Sequence, residues 1–121
     1  MEQKAVWRGN FTSWERCGMF EELIFEWDPK KEWENIRDHG VNFTDASDVF
    51  RDFIRVERYD DDSIDDEDRW QTMGFVDNVL FVVYTERGDL IRIISACVAE
   101  PFERRIYHGD GEIQGWQRVN P

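Results

Sequence analysis

The sequence predicts a single α+β domain, and three observations predict it. Two early segments space their apolar residues as helices do. Four runs that alternate or are almost wholly apolar follow, joined by short turns. A last segment returns to helical spacing behind a proline. At 121 residues the chain is long enough to bury a core as one domain.

Residues 1–22 are mixed polar and aromatic, without clear period. Ile24–Trp27 reads as the first strand. Asp28 suits an N-cap and Pro29 the first helical position, where its missing N–H costs nothing. Pro29, Trp33 and Ile36 then share one face of a helix over 29–39, which Gly40 ends as a left-handed cap. Thr44 is the expected cap of a second helix carrying Ala46, Val49, Phe50 and Phe53. The period then changes to two. Ile54–Tyr59 and Arg69–Val76 read as strands around an acidic loop, and Asp77-Asn78 as a tight turn. Val79–Thr85 is nearly all apolar, as a central strand would be. Arg87-Gly88-Asp89 is a turn into the last strand, Leu90–Cys97. Short turns make these four strands an antiparallel meander. Alternation places Arg92, Ile94 and Ala96 on one face. Pro101 opens a final helix with Phe102 and Ile106 one turn apart, and Gly109 ends it. Residues 109–121 read as a loose tail in which Trp116 is able to dock.

Composition narrows the function classes. The net charge of −12 is unlike the basic surface of most nucleic-acid binders. Part of the excess is local: Asp60-Asp61-Asp62 and Asp65-Asp66-Glu67-Asp68 contribute seven negative charges. That run reads as a solvated loop and fails the calcium-loop spacing, having no glycine at its sixth position. No cofactor motif and no metal-ligand cluster is legible. Cys17 and Cys97 fit a reducing cytoplasm, and no stretch is long and apolar enough for a membrane span.

An ordered string of motifs runs through residues 25–108. It begins Phe25-Glu26-Trp27-Asp28-Pro29-Lys30-Lys31 and passes Asn35 to His39-Gly40-Val41 and Val49-Phe50. It resumes near Arg69, then Val82-Val83-Tyr84-Thr85 and Arg92-Ile93-Ile94-Ser95-Ala96, and ends Glu103-Arg104-Arg105-Ile106-Tyr107. In this order and spacing it resembles the BrnT family, the ribonuclease toxins of BrnT/BrnA toxin–antitoxin pairs. The resemblance implies a RelE/ParE-like toxin fold over residues 23–108, with an N-terminal strand and two helices, an antiparallel four-stranded meander and a C-terminal helix. Residues 1–22 would be an extension, since such chains begin close to Met19, and 109–121 a tail. It also implies a metal-independent endoribonuclease that inhibits translation. The partners implied are RNA, a BrnA-like antitoxin, and operator DNA through the antitoxin alone.

A metal-free ribonuclease needs a base for the 2′-hydroxyl, a cation for the phosphorane and an acid for the leaving oxygen. The resemblance directs attention to Lys31, His39, Arg69 and Arg92 as catalytic candidates, and to Thr85 and Ser95. Tyr84 is placed to stack on a base, and Arg87 to contact substrate. Each has a plainer reading. His39 is either a proton shuttle or a helix-end histidine. Lys31 is either a phosphate ligand or a solvent-facing helical lysine. Arg92 meets either an anion or a structural carboxylate in the acidic loop or at Glu103. Arg69 either reaches RNA or balances Glu67 and Asp68. Thr85 and Ser95 also read as ordinary strand residues. Two positions depart from the family pattern: Asp38 stands where a basic residue precedes the His-Gly pair, and Cys97 where arginine follows Ser-Ala. With the charge balance, they favour a second reading, a non-catalytic interaction module or an acidic nucleic-acid mimic on the same fold.

Overall fold

The structure, a computed structural model, describes residues 5–13, 19–61, 67–109 and 114–120. The chain folds as an α+β domain built on one mixed sheet. Strand β1 (Ala5–Ser13) pairs antiparallel with β2 (Met19–Trp27). Helices α1 (Pro29–His39) and α2 (Phe43–Asp48) follow, the latter running into a 3-10 turn at Val49–Arg51. Then come β3 (Val56–Tyr59), β4 (Trp70–Val76), β5 (Asn78–Arg87) and β6 (Leu90–Val98), and after them α3 (Pro101–His108) and the short β7 (Gln117–Arg118). The strand order is β1-β2-β6-β5-β4-β3-β7. The meander β3–β6 is therefore the inner part of a wider sheet. Its β6 edge takes β2 in parallel, Ile24–Glu26 facing Leu90–Arg92, and its β3 edge takes β7. Among the described residues no helix is long and apolar enough to cross a membrane.

Each face of the sheet carries its own core. Leu80, Val82 and Tyr84 of β5 join Phe25, Val49, Phe50, Ile93 and Ala96 beneath α1 and α2. Phe50 stacks edge-on between Phe25 and Tyr84, with centroids 5.1 and 5.0 Å away. Val79 joins Val56, Met73, Ala99, Tyr107 and Trp116 on the other face, with Phe81 packed against them. Gly74 makes the first core possible, because a Cβ there would meet the Val49 carbonyl at 2.8 Å.

Local expectations fail where tertiary contacts intervene. The strand expected over Ile24–Trp27 is the second one, β2, and starts at Met19, since β1 gives its early residues a partner. The cap of α2 is Asn42, whose Oδ1 accepts the Asp45 N–H at 2.7 Å; Thr44 lies inside the helix. Phe53 lies beyond the helical segment and is exposed. Strand β3 starts at Val56, two residues late, because Asp52 accepts the Ile54 N–H in a side-chain turn. The segment 114–120 is docked. Trp116 is 2 % exposed against Phe81, and Arg118 donates to the carbonyls of Ile54, Tyr107 and Gly109. Cys17 and the middle of the acidic run, 62–66, lie outside the described residues.

The sharpest reversal concerns α1. Its apolar stripe faces outward, with Trp33 62 % and Ile36 45 % exposed. The face against the sheet is polar. Asn35 is buried there and donates Nδ2 to the carbonyls of Val41 (2.9 Å) and Ala96 (2.8 Å), while Oδ1 accepts the Ala96 N–H (3.1 Å). Glu32 accepts the Trp27 indole N–H at 3.2 Å and the Phe43 N–H at 2.8 Å. Helix α1 is thus held by hydrogen bonds that a count of apolar positions does not see.

Asn35→Ala strands the N–H and C=O of Ala96 and is expected to cost about 2–6 kcal/mol, at roughly 1–3 kcal/mol per unmet buried group. Trp33→Ala should stay within about 0.5 kcal/mol. Urea unfolding of the two variants measures both.

Candidate functional site

The site begins where β2 leaves the sheet. After three parallel pairs with β6, β2 ends at Trp27 and Asp28 caps α1, its carboxylate accepting the Lys30 N–H at 2.9 Å. Helix α1 swings away, and Asn35 replaces β2 as the partner of β6 at Ala96. In this divergence lies a cleft of about 240 Å³, lined by Asp28, Lys31, Glu67, Arg69, Arg87, Arg92, Ile93 and Ile94.

Each cation reaches it from a different element. Lys31 projects from the first turn of α1. Arg92 comes from β6 beside Glu26 of β2. The two are register partners with nitrogen to oxygen at 3.5 Å, and Glu26 is 3 % exposed. Glu26 of the neighbouring strand is thus a carboxylate beside Arg92 that sequence reasoning had not named as its partner. Arg69 stands just before β4. Arg87, at the end of β5, holds Glu67 through two bonds of 3.2 and 3.0 Å.

A β-bulge tunes the arrangement. Ser95 pairs with Val83 and Ile93 with Tyr84, leaving Ile94 as the extra residue of β6. Simple alternation therefore breaks: Ile93 and Ala96 both point into the core under α1 and α2, and Arg92 does not share a face with Ala96.

The structure brings Lys31, Arg69, Arg87 and Arg92 together. Four other candidates do not line the cleft. His39 sits at the far end of α1, roughly 12 Å along the helix from Lys31. It adjoins Gly40, whose φ of 72° is the left-handed cap. Tyr84 is 3 % exposed in the core and donates its hydroxyl to Glu57 at 3.0 Å. Thr85 is 1 % exposed, and its hydroxyl donates to the Asp68 carbonyl at 2.6 Å. Ser95 lies about 10 Å along β6 from Arg92. The two departures from the family pattern are also remote. Asp38 is exposed and paired with Arg37 at 2.9 Å, which lowers its pKa. Cys97 lies about 15 Å along the strand from Arg92. Burial, then Glu103 and Glu100, pushes its thiol up, so it is a poor nucleophile at neutral pH. Sequence reasoning did not place the acidic members at the site: Glu26 appeared only as a motif letter, Asp28 as a helix cap and Glu67 as a loop residue beside Arg69.

Fold and site together define a small α+β protein whose acidic chain encloses a cation-rich cleft at a strand divergence. A family described as "Ribonuclease toxin, BrnT, of type II toxin-antitoxin system" matches residues 27–103, and the chain belongs to this family. Membership of a type II system implies an antitoxin partner. The crystal structure of the Brucella abortus ribonuclease toxin BrnT is similar, at a TM-score of 0.46 and 22 % identity over 61 % of this chain and 92 % of that one. No curated protein matches the chain.

The buried phenols give a pH prediction. Burial, reinforced by Glu57 for Tyr84 and by the Asp52 hydrogen bond for Tyr107, raises both pKa values above the ordinary value of about 10. A folded pKa above the unfolded one leaves stability intact below pH ~10 and removes it as pH rises beyond. The urea midpoint should fall between pH 9 and pH 11, less steeply in Tyr84→Phe.

Proposed function

We propose that the chain is a metal-independent endoribonuclease toxin that inhibits translation by cutting RNA. The observation that carries this reading is the convergence of Lys31, Arg69, Arg87 and Arg92 on one cleft of a protein with net charge −12. Guanidinium forks match phosphate oxygens, and a phosphorane gathers more negative charge than the diester it comes from. Arg92 and Arg69 hold the scissile phosphate. The RNA 2′-oxygen attacks phosphorus while the bond to the 5′-oxygen breaks. Glu67, oriented by Arg87, accepts the 2′ proton, and Lys31 delivers one to the leaving oxygen. The products are a 2′,3′-cyclic phosphate and a free 5′-hydroxyl. Metal independence is supported by the donor set. Asp28 is committed to the cap of α1 and Glu67 to Arg87, so a divalent ion would have to displace existing partners.

The antitoxin in this reading is BrnA-like. It carries the DNA-binding function, so operator DNA is reached only through it, and the pair works in the cytoplasm. The acidic surface favours a basic partner face and speeds encounter with it.

A second reading, a binding-only module, is favoured by the outward stripe of Trp33 and Ile36, on the helix whose first turn lines the cleft.

Induced expression in a bacterial host separates the two. Wild type should arrest growth and deplete RNA, while Arg92→Ala should do neither and should lower turnover on purified RNA by about 10²–10³. Cleavage should persist in chelator and leave cyclic phosphate ends. Intact RNA with folded wild-type protein would favour the binding module. For RNA binding, Arg69→Ala should reduce the slope of log affinity against log salt by about 0.7.

A further inference from the structure

We propose that Glu26 and Thr85 are positioning residues that fix the two arginines of the cleft, Arg92 and Arg69, in one rigid row across the sheet. The inference rests on the reading of the cleft as an anion site. Glu26 of β2 pairs in register with Arg92 of β6, and Arg92 pairs with Thr85 of β5. Tyr84 pairs with Trp70, so Arg69 occupies the next position of the same row, beside Thr85. Neighbouring strands lie about 4.8 Å apart, which puts the two arginine Cα atoms roughly 10 Å apart with a small residue between them. Their long side chains span that gap toward a shared anion.

Both flanking groups are buried, at 3 % exposure for Glu26 and 1 % for Thr85, so neither is available to substrate. Glu26 is close enough to Arg92, at 3.5 Å, to orient its guanidinium without covering it, since Arg92 still lines the cleft. Thr85 acts on the backbone. Its hydroxyl donates to the carbonyl of Asp68, the residue before Arg69, at 2.6 Å. The Asp60 N–H donates to the Arg69 carbonyl at 2.9 Å. The chain around Arg69 is thereby tied on both sides at the end of the acidic run. A flexible arginine samples many rotamers; one held from below meets the phosphorane in a single geometry.

The test compares wild type with Glu26→Gln, Thr85→Val and Thr85→Ser in the full chain. Arginine Nε–H signals in nitrogen-resolved NMR read positioning without reference to activity. The expected result is that Glu26→Gln shifts and broadens the Arg92 signal, Thr85→Val does so for Arg69, and Thr85→Ser restores it. On RNA, Glu26→Gln should lower kcat at least tenfold with KM within threefold, and should add nothing in an Arg92→Ala background. Unmoved arginine signals in folded Glu26→Gln or Thr85→Val would overturn the proposal, as would full additivity with Arg92→Ala. If Glu26→Gln does not fold, the Thr85 pair decides by the same signals. If wild type cuts no RNA, the ribonuclease reading fails, while the NMR shifts still decide whether the row positions the arginines.

Discussion

The side chain of Asn35 is the constraint on which the rest of the structure turns. Strand β2 accompanies β6 for only three residues, after which the N–H and C=O of Ala96 would face a missing neighbour. Buried backbone groups without partners are costly, so a strand cannot leave a sheet interior unless something replaces it. The Asn35 amide has a donor and an acceptor at the spacing of a peptide group, and it substitutes for the departed strand. This permits β2 to turn into α1, draws the polar face of α1 against the sheet and leaves Trp33 and Ile36 outside. The same divergence opens the cleft. Fold and candidate site are consequences of one substitution of side chain for backbone.

Electrostatics within this frame are organised by pairing. The chain is strongly acidic, yet the cleft gathers four cations from α1, β6, the end of β5 and the chain before β4. The carboxylates there are committed: Asp28 to a helix cap, Glu67 to Arg87, Glu26 beside Arg92. An anion entering the cleft therefore meets oriented donors at little cost of rearrangement, which is the condition for stabilising developing charge. The acidic exterior does not contradict an RNA substrate, because recognition at a cleft depends on the local field. In the proposed reading, the acidic charge makes long-range attraction to RNA weak and favours encounter with a basic partner face.

How much was legible in the sequence depended on whether the cause was local. The span of α1 was readable to the residue because Asp28, Pro29 and Gly40 act within a turn of the backbone. Strands β4, β5 and β6 were readable because the turns between them are short, and β3 because its period-two pattern ends at the acidic run. Thr44 was expected to cap α2 and Asn42 does so instead, since both residue types are good caps and only the chain's path decides between them. The site was legible in part. Lys31, Arg69 and Arg92 were singled out by the motif resemblance and Arg87 by its turn, and all four meet. Thr85 and Tyr84 belonged to the same string but are buried, with their hydroxyls turned to Asp68 and Glu57. A motif letter does not say whether a residue touches substrate or supports one that does.

By itself the sequence determined the α+β class, the ends of α1 and α3 and the antiparallel meander, since periodicity, capping and turn chemistry act over a few residues. Tertiary structure alone decided which side of α1 is buried, where β6 bulges, how β2 joins in parallel and which carboxylate stands beside Arg92. Most of those outcomes depend on partners more than sixty residues apart, such as Glu26 with Arg92 and Asn35 with Ala96. No local signal encodes the pairing of groups that meet only when the chain has closed.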